Sequence, residues 1–423
     1  MIDINLIRTN PEYIVKNLKK RGVEISLSEV IEQDIKVREL KKEADELKAE
    51  RNVVSKSIPE LKKQNKPTEP VFDNMRKLGD KIEQIDVQIK ELESVIFNFI
   101  ARIPNLVDED LPAGEKEANE IIYTYLEQPK FSFPIKNHVD LCEQHGLIDY
   151  KRGAKIAGSG HWIYSGIGAR LEWALLNYFI DEHIKDGYQF MLIPHMLNYN
   201  CGFSAGQFPK FNDDVFWLKD AEGEEKKFLL PTAETGLVSI HSDEILSEDE
   251  LPKKYFGYTP CYRKEAGSYR AEERGMIRGH QFNKIEMIQY TKKEQSEKAF
   301  YELVEKAKRL VEGLGLHYQV SKLAAGDVGA SMARTYDIEV FVPSMGYKEV
   351  SSVSNAKEYQ ARRSNTKYRN KETGKPEYVH TLNGSGLATS RIIPAIVEQY
   401  QQADGSIKVP PVLVKYLGLE VIK

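Results

Sequence analysis

The chain has 423 residues, of which 41% are hydrophobic and 29% charged, and its formal net charge is -4 at pH 7. That length exceeds what one hydrophobic core usually supports, so two or more domains are expected. The acidic balance excludes a nucleic-acid binder that works by bulk charge, and it confines any such contact to a local basic patch.

The opening residues, Met-Ile-Asp-Ile-Asn-Leu, have neither the basic stretch nor the apolar core of a leader, and no run of about 18 uncharged apolar residues follows. A cytoplasmic protein without membrane contact is expected. Cys142, Cys201 and Cys261 are the three cysteines. An odd count with no Cys-x-x-Cys pair points to neither a disulfide framework nor a zinc site.

The first strong periodicity is a pair of heptad tracks. Val37, Leu40, Ala44, Leu47, Arg51, Val54, Ile58 and Leu61 alternate spacings of three and four, interrupted in character only by Arg51. After Gln64-Asn-Lys-Pro67-Thr-Glu-Pro70 the rhythm resumes at Val71, Met75, Leu78, Ile82, Ile85, Ile89, Leu92, Ile96 and Phe99. Two prolines between two seams predict a hairpin, with a first helix from about Glu29 to Lys63 that would be roughly 50 Å long. Residues 1–105 are therefore expected to form an antiparallel helical coiled coil, with a second domain over 106–423. Between Arg51 and Lys77 the seven basic residues Arg51, Lys56, Lys62, Lys63, Lys66, Arg76 and Lys77 face only Glu60, Glu69 and Asp73. Such a tip suits a few phosphate contacts, and equally a solvated lysine-rich end.

Beyond Ile103-Pro104-Asn105 short alternating runs take over. Tyr188–Ile193, Phe228–Leu230, Lys284–Tyr290, His317–Leu323, Asp337–Val342 and Lys348–Val353 all fit strands. Regular strand-helix-strand alternation is missing, which predicts an α+β fold with an antiparallel sheet and segregated helices. In Lys284–Tyr290, period two puts Glu286 on a face with Ile288 and Tyr290, so its carboxylate needs either a nearby Lys or Arg or a substrate ammonium. Pro231-Thr-Ala-Glu234 looks like a capped helix start. Glu349 and Ser352 are oxygen ligands of the hard type that magnesium takes. Gly384-Ser-Gly386 taken alone reads as a helix-entry turn.

Three ordered segments go further. Arg263-x-Glu265, a charged loop and Arg278-x-x-x-Phe282 resemble motif 2 of the class II aminoacyl-tRNA synthetases, and Glu265-Ala-Gly-Ser-Tyr269 resembles the seryl-tRNA synthetase form of it. The helix from about Ile167 to Ile184 and the strand ending at Pro194 resemble motif 1. Thr381-Leu-Asn-Gly-Ser-Gly-Leu-Ala-Thr-Ser-Arg391 resembles motif 3.

The resemblance implies a class II catalytic domain over 106–423 that joins L-serine to tRNA(Ser), with tRNA(Sec) as a second candidate acceptor, through ATP and seryl adenylate, in a homodimer. It implies ATP contacts from Arg263, Lys264, Glu265, Phe282, Glu349, Val350, Ser351, Ser352 and Arg391. Arg263 and Arg391 would neutralise phosphate charge, and Phe282 would offer a face to the purine. Magnesium would sit with ATP on Glu349 and Ser352. Serine would meet Thr232, Ala233, Glu234, Arg263, Glu286, Asn383 and Ser385. The coiled coil would grip tRNA through Lys56, Lys62, Lys63, Lys66 and Arg76.

Three stretches depart from common family patterns. They are Thr235-Gly236-Leu237-Val238 after the Thr-Ala-Glu triplet, Phe203-Ser204-Ala205-Gly206-Gln207 ahead of Phe208-Pro-Lys-Phe211, and the charges of the Arg270–Arg274 loop. The first two bear on serine stringency. A catalytically silent tRNA-binding relative and an aminoacyl ligase for a carrier protein are the competing expectations. Retention of Arg263, Glu265, Glu349 and Arg391 argues against the first, and the basic-tipped arm against the second.

Overall fold

The computed structural model describes residues 1–219, 226–265 and 275–423. They divide into two compact units, one comprising residues 2–19 and 23–104 and the other comprising essentially everything from Asn105 onward.

In the first unit α1 (Ser28–Lys63) and α2 (Glu69–Ile100) form the expected hairpin. Pro70 falls in the first turn of α2, where its missing N–H breaks no helical bond. Exposed ion pairs join Lys41 to Glu93 at 2.6 Å and Lys48 to Asp86 at 3.2 Å. Seven residues forward on one helix thus match seven backward on the other, which fixes an antiparallel register while adding little stability. Val37 and Ala44 are buried in the seam, as are Leu78, Ile82, Ile85, Ile89 and Ile96 from the other side. Toward the tip the seam loosens: Val54, Ile58 and Leu61 are only half-buried and Arg51 is exposed.

The second unit is built on an eight-stranded sheet. Its strands are β1 (Glu120–Tyr125), β2 (Gln189–Met191), β3 (Lys253–Tyr262), β4 (Gln281–Thr291), β5 (Tyr318–Lys322), β6 (Arg334–Val342), β7 (Gly346–Lys357) and β8 (His380–Ala388). They lie in the order β1-β5-β6-β7-β8-β4-β3-β2, antiparallel throughout except for the edge pair of β2 and β3. The helices that matter here are α3 (Ile167–Lys185), α4 (Ala233–Leu237), α5 (Ser296–Gly313), α6 (Tyr359–Ser364) and α7 (Thr389–Gln399).

Period-two alternation sorts the strand residues between two faces. Ile285, Met287, Ile338, Val353 and Leu382 join Leu175 and Phe179 of α3, Leu303 and Leu310 of α5, and Ile393 and Ile396 of α7 in the main core. Ile288 and Tyr290 pack instead with Leu237 and Tyr255 in a smaller cluster, and Glu286 shares that side. Gly384-Ser385-Gly386, which taken alone reads as a helix-entry turn, is strand: Gly384 lies opposite both Met287 and Val353, and the helix begins only at Thr389. Glycine is required at 386, because a Cβ there would stand 2.2 Å from Nε2 of His183.

Between β6 and β7 the pairing slips by one residue, with Ile338 opposite Ser351 but Glu339 opposite Glu349. Val350 is the extra residue of a bulge. It turns into the core at 1% exposure, and Glu349 and Ser352, three apart in sequence, emerge on the same face as Asp337 and Glu339. No helix among the described residues is long and apolar enough to cross a membrane.

Candidate active site

Glu286 is the centre of a buried polar cluster and is 1% exposed. Strand β4 presents it opposite Ser385 of β8, whose hydroxyl donates to Oε2 at 3.3 Å. Asn383, two residues back on the same face, donates from Nδ2 to Oε1 at 3.2 Å. Thr232 donates from Oγ1 to Oε2 at 3.4 Å. The cation that the sequence required is Lys284, whose Nζ lies 2.5 Å from Oε2 and also donates to Thr232 Oγ1 at 2.8 Å. A buried ion pair is tolerable only when its remaining lone pairs are hydrogen-bonded, and here they are.

Thr232 caps α4, its Oγ1 accepting the Glu234 N–H at 3.3 Å, so the capped helix start forms and also reaches the cluster. Ala233 is buried in the smaller core. Desolvation first, and the neighbouring Glu286 charge second, push the Glu234 carboxyl up to about 7, against the opposing influence of Gln360, Lys284 and Arg263. Its Oε1 accepts from Gln360 Nε2 at 2.7 Å. Of the departing stretches, Thr235 donates from Oγ1 to Gln207 Oε1 at 3.1 Å, and the Ala205 carbonyl accepts from Gln360 at 3.0 Å. Both therefore border this cluster.

Arg263 follows β3 directly. Its Nε donates to the Pro231 carbonyl at 3.2 Å and its guanidinium lies 5.2 Å from the centroid of the Phe282 ring. The Lys264 N–H is taken by the Asp214 carbonyl at 3.1 Å. Glu265 sits in the left-handed region, with φ of 48°, and accepts from Arg278 Nε at 2.6 Å. The loop 266–274, including Arg270–Arg274 and the rest of Glu265–Tyr269, lies outside the described residues.

Arg391, in the first turn of α7, donates from Nε to Ile277 O at 3.2 Å and from Nη1 to Glu349 O at 2.7 Å; Nη1 stands 3.6 Å from Glu349 Oε1. Packing within the cleft works to raise the Glu349 carboxyl, but the side chain is 45% exposed, and the Arg391 and Arg263 charges outweigh that effect and hold the group below the ordinary value. Ser352 gives its proton to Asp337 Oδ1 at 2.6 Å. Asp337 is itself pushed well above the carboxylate range by burial and then by the Glu349 charge. Ser351 faces away from the cleft and donates to the Ser385 carbonyl at 2.7 Å. Arg263, Arg278, Lys284, Glu349, Ser385 and Arg391 thus line one cleft.

An ionised Glu349 carboxylate and a Ser352 hydroxyl whose proton is committed elsewhere form an oxygen-only donor pair that fits magnesium. No group of three or more His, Cys, Asp or Glu poised for a metal occurs among the described residues, so substrate oxygens would have to complete the shell.

Three residues that matter to this site were not singled out from the sequence. Lys284 was findable, standing two residues before Glu286 on one strand face. Asp337 alternates with Ile338 and was likewise within reach of period two. Gln360 carried no sequence signal, since it comes from α6, 126 residues beyond Glu234. In the helical unit Lys56, Lys62, Lys63, Lys66 and Arg76 are all exposed around the hairpin tip, Arg76 lying 3.5 Å from Asp73.

Residues 1–107 match the family described as seryl-tRNA synthetase N-terminal domain, and residues 216–400 match the tRNA synthetase class II core domain (G, H, P, S and T). A serine–tRNA ligase 2 of Clostridium acetobutylicum is 56% identical over 99% of both chains. A serine–tRNA ligase of Thermodesulfovibrio yellowstonii is 43% identical over 100% of both. Among solved structures, the seryl-tRNA synthetase of Pyrococcus horikoshii complexed with ATP superposes with a TM-score of 0.92 at 33% identity, covering 100% of this chain and 99% of that one. The cytoplasmic serine–tRNA ligase of Naegleria fowleri in complex with AMP gives a TM-score of 0.88 at 28% identity, with the same coverage.

Proposed function

The chain belongs to the seryl-tRNA synthetases, class II ATP-dependent aminoacyl-tRNA ligases, and we propose that its cleft activates L-serine as seryl adenylate and passes the seryl group to the 3′ end of tRNA(Ser), with tRNA(Sec) as a second acceptor. The observation that carries this is the convergence of Thr232, Asn383 and Ser385 on the buried Glu286 carboxylate, beside the Arg263 guanidinium. An anionic pocket next to a cation is the complement of an amino acid, whose ammonium seeks carboxylates and whose carboxylate seeks arginine. The relatives with ATP and AMP support a nucleotide in the adjoining part of the cleft.

Activation needs no base for its nucleophile, because the substrate carboxylate is already ionised near pH 7. What remains is positioning and charge neutralisation. Arg263 holds the substrate carboxylate against the α-phosphate, and Arg391 takes the γ-phosphate. Lys264, Glu265 and Phe282 flank the nucleoside, and the bulged backbone at Val350 and Ser351 aims Glu349 and Ser352 at the phosphates. Magnesium, held by Glu349 and Ser352 with phosphate oxygens completing its shell, would neutralise charge on the departing pyrophosphate. Glu286, Glu234 and Thr232, with Ala233, Asn383 and Ser385 around them, hold the serine ammonium and hydroxyl. A site built to hydrogen-bond a hydroxyl rejects an analogue lacking it strongly, because its buried groups are then left unpaired. In the transfer step the basic hairpin tip holds the tRNA, and the enzyme works as a homodimer.

The test is ATP–pyrophosphate exchange with serine, threonine, alanine and cysteine supplied singly. Exchange with serine well above the others is expected. Strong exchange with another amino acid and none with serine would overturn the proposal.

A further inference from the structure

We propose that Gln360 is a positioning residue for the amino-acid half of the site, holding Glu234 in register with an incoming ammonium group through a relay that starts at Thr381 and also ties down the backbone of Ala205. The proposal rests on the serine-binding role given to Glu234 above.

Gln360 projects from α6, between β7 and β8, and is 1% exposed. The Thr381 hydroxyl donates to its Oε1 at 2.7 Å. Its Nε2 donates to Glu234 Oε1 at 2.7 Å and to the Ala205 carbonyl at 3.0 Å. The partners leave the amide no alternative orientation. A carboxylate and a carbonyl can only accept, so both must face the NH2 group, and the oxygen is left for the one hydroxyl donor. Arg363, one turn on, donates from Nε to the Phe203 carbonyl at 2.6 Å and from Nη2 to the Phe208 carbonyl. Helix α6 therefore clamps the 203–208 segment and Glu234 together.

An N–H bond to the ionised carboxylate favours that form. Glu234 needs the help, since burial first and the Glu286 charge second disfavour its ionised form, and besides Gln360 the opposing influences are the charges of Lys284 and Arg263. Without the amide the Glu234 carboxyl both loses its fixed rotamer and takes up a proton more readily, and a protonated carboxyl is a poor partner for an ammonium.

The experiment is steady-state pyrophosphate exchange by the wild type, Gln360→Leu and Thr381→Val, with serine and ATP varied separately at about pH 7 and pH 8.5. For Gln360→Leu the serine KM should rise about 10–100-fold near neutrality, the usual cost of losing a bond to a charged group, with the ATP KM within about twofold. Part of the loss should be recovered at the higher pH, where Glu234 ionises again. A role confined to packing predicts a loss independent of pH and shared by both substrates. A serine KM within about twofold of wild type, or a loss identical at the two pH values, would overturn the proposal. Thr381→Val, which removes only the donor to Oε1, provides the same readout if Gln360→Leu fails to fold; it should raise the serine KM less and in the same pH-dependent direction, and no change would equally overturn it. A wild type active with serine beside unresponsive variants removes this proposal alone. A wild type inactive with serine removes the function assigned to Glu234 and this proposal with it.

Discussion

The Arg263 guanidinium rests 5.2 Å from the centroid of the Phe282 ring, so one face of that ring already carries a cation. The phenyl ring that was expected to receive a purine also aims the arginine, and a nucleotide must share the ring with it. Phe282→Leu keeps bulk but removes the π-face. The ATP KM should rise about five- to tenfold, from loss of the aromatic face and of the cation's support, and the serine KM should rise by less, through the loosened Arg263 alone. An unchanged ATP KM in exchange assays would contradict this.

Removing one partner of the Lys284–Glu286 pair should be costly. Glu286→Ala leaves a 7%-exposed lysine ammonium without its carboxylate, and urea unfolding should show a loss of about 3–5 kcal/mol. The double change Lys284→Met with Glu286→Leu should recover most of that stability, since buried pairs replaced by apolar residues of similar volume are often neutral. It should not recover serine activation. Stability and activity that return together would show that the pair serves packing only.

A third raised carboxyl predicts a pH signature in stability. Glu172, on α3, is 3% exposed and accepts from Thr389 Oγ1 at 2.6 Å and Asn283 Nδ2 at 2.7 Å. Burial pushes its carboxyl up from 4.5 to about 7 against those bonds. The folded chain then holds a proton that the unfolded chain releases above about pH 4.5, so this group stabilises the fold at low pH and the contribution is lost as pH rises toward 7. Glu172→Gln keeps both accepted bonds and removes the titration. Its Tm difference from wild type should shift in the variant's favour between about pH 5 and pH 8, and a difference flat across that window would refute the assignment.

The hairpin tip separates tRNA charging from adenylate formation. Changing Lys56, Lys62, Lys63, Lys66 and Arg76 to glutamine should leave pyrophosphate exchange unaltered. Charging should weaken, and the slope of its affinity against log salt should flatten by roughly 0.7–0.9 for each phosphate no longer neutralised. Normal charging at physiological salt would count against a role for the tip.

The sequence showed most where one periodicity governed a long stretch. The heptads of Val37–Leu61 and Val71–Phe99 place both arm helices, because burying an apolar stripe repeatedly is enough to specify a hairpin. Alternation likewise placed Glu286 on a polar face among apolar neighbours, and it correctly demanded a cation. What it could not supply was identity across the sheet. Lys284 was within its reach, two residues away on the same strand face, whereas Gln360 reaches Glu234 only through the packing of α6. The Gly384-Ser-Gly386 segment taken alone was ambiguous for a related reason: glycine signals both turns and close approach, and here His183 supplies the approach.

The extra residue at Val350 lets Glu349 and Ser352 share a face although they stand three apart, an odd spacing that regular alternation would send to opposite sides. Deleting Val350 would leave Glu349 opposite Glu339 on that same face and remove the kink that the bulge puts into β7. The added residue therefore sets the spacing and angle between these two oxygen donors, while the side on which they stand is set by the strand pairing alone.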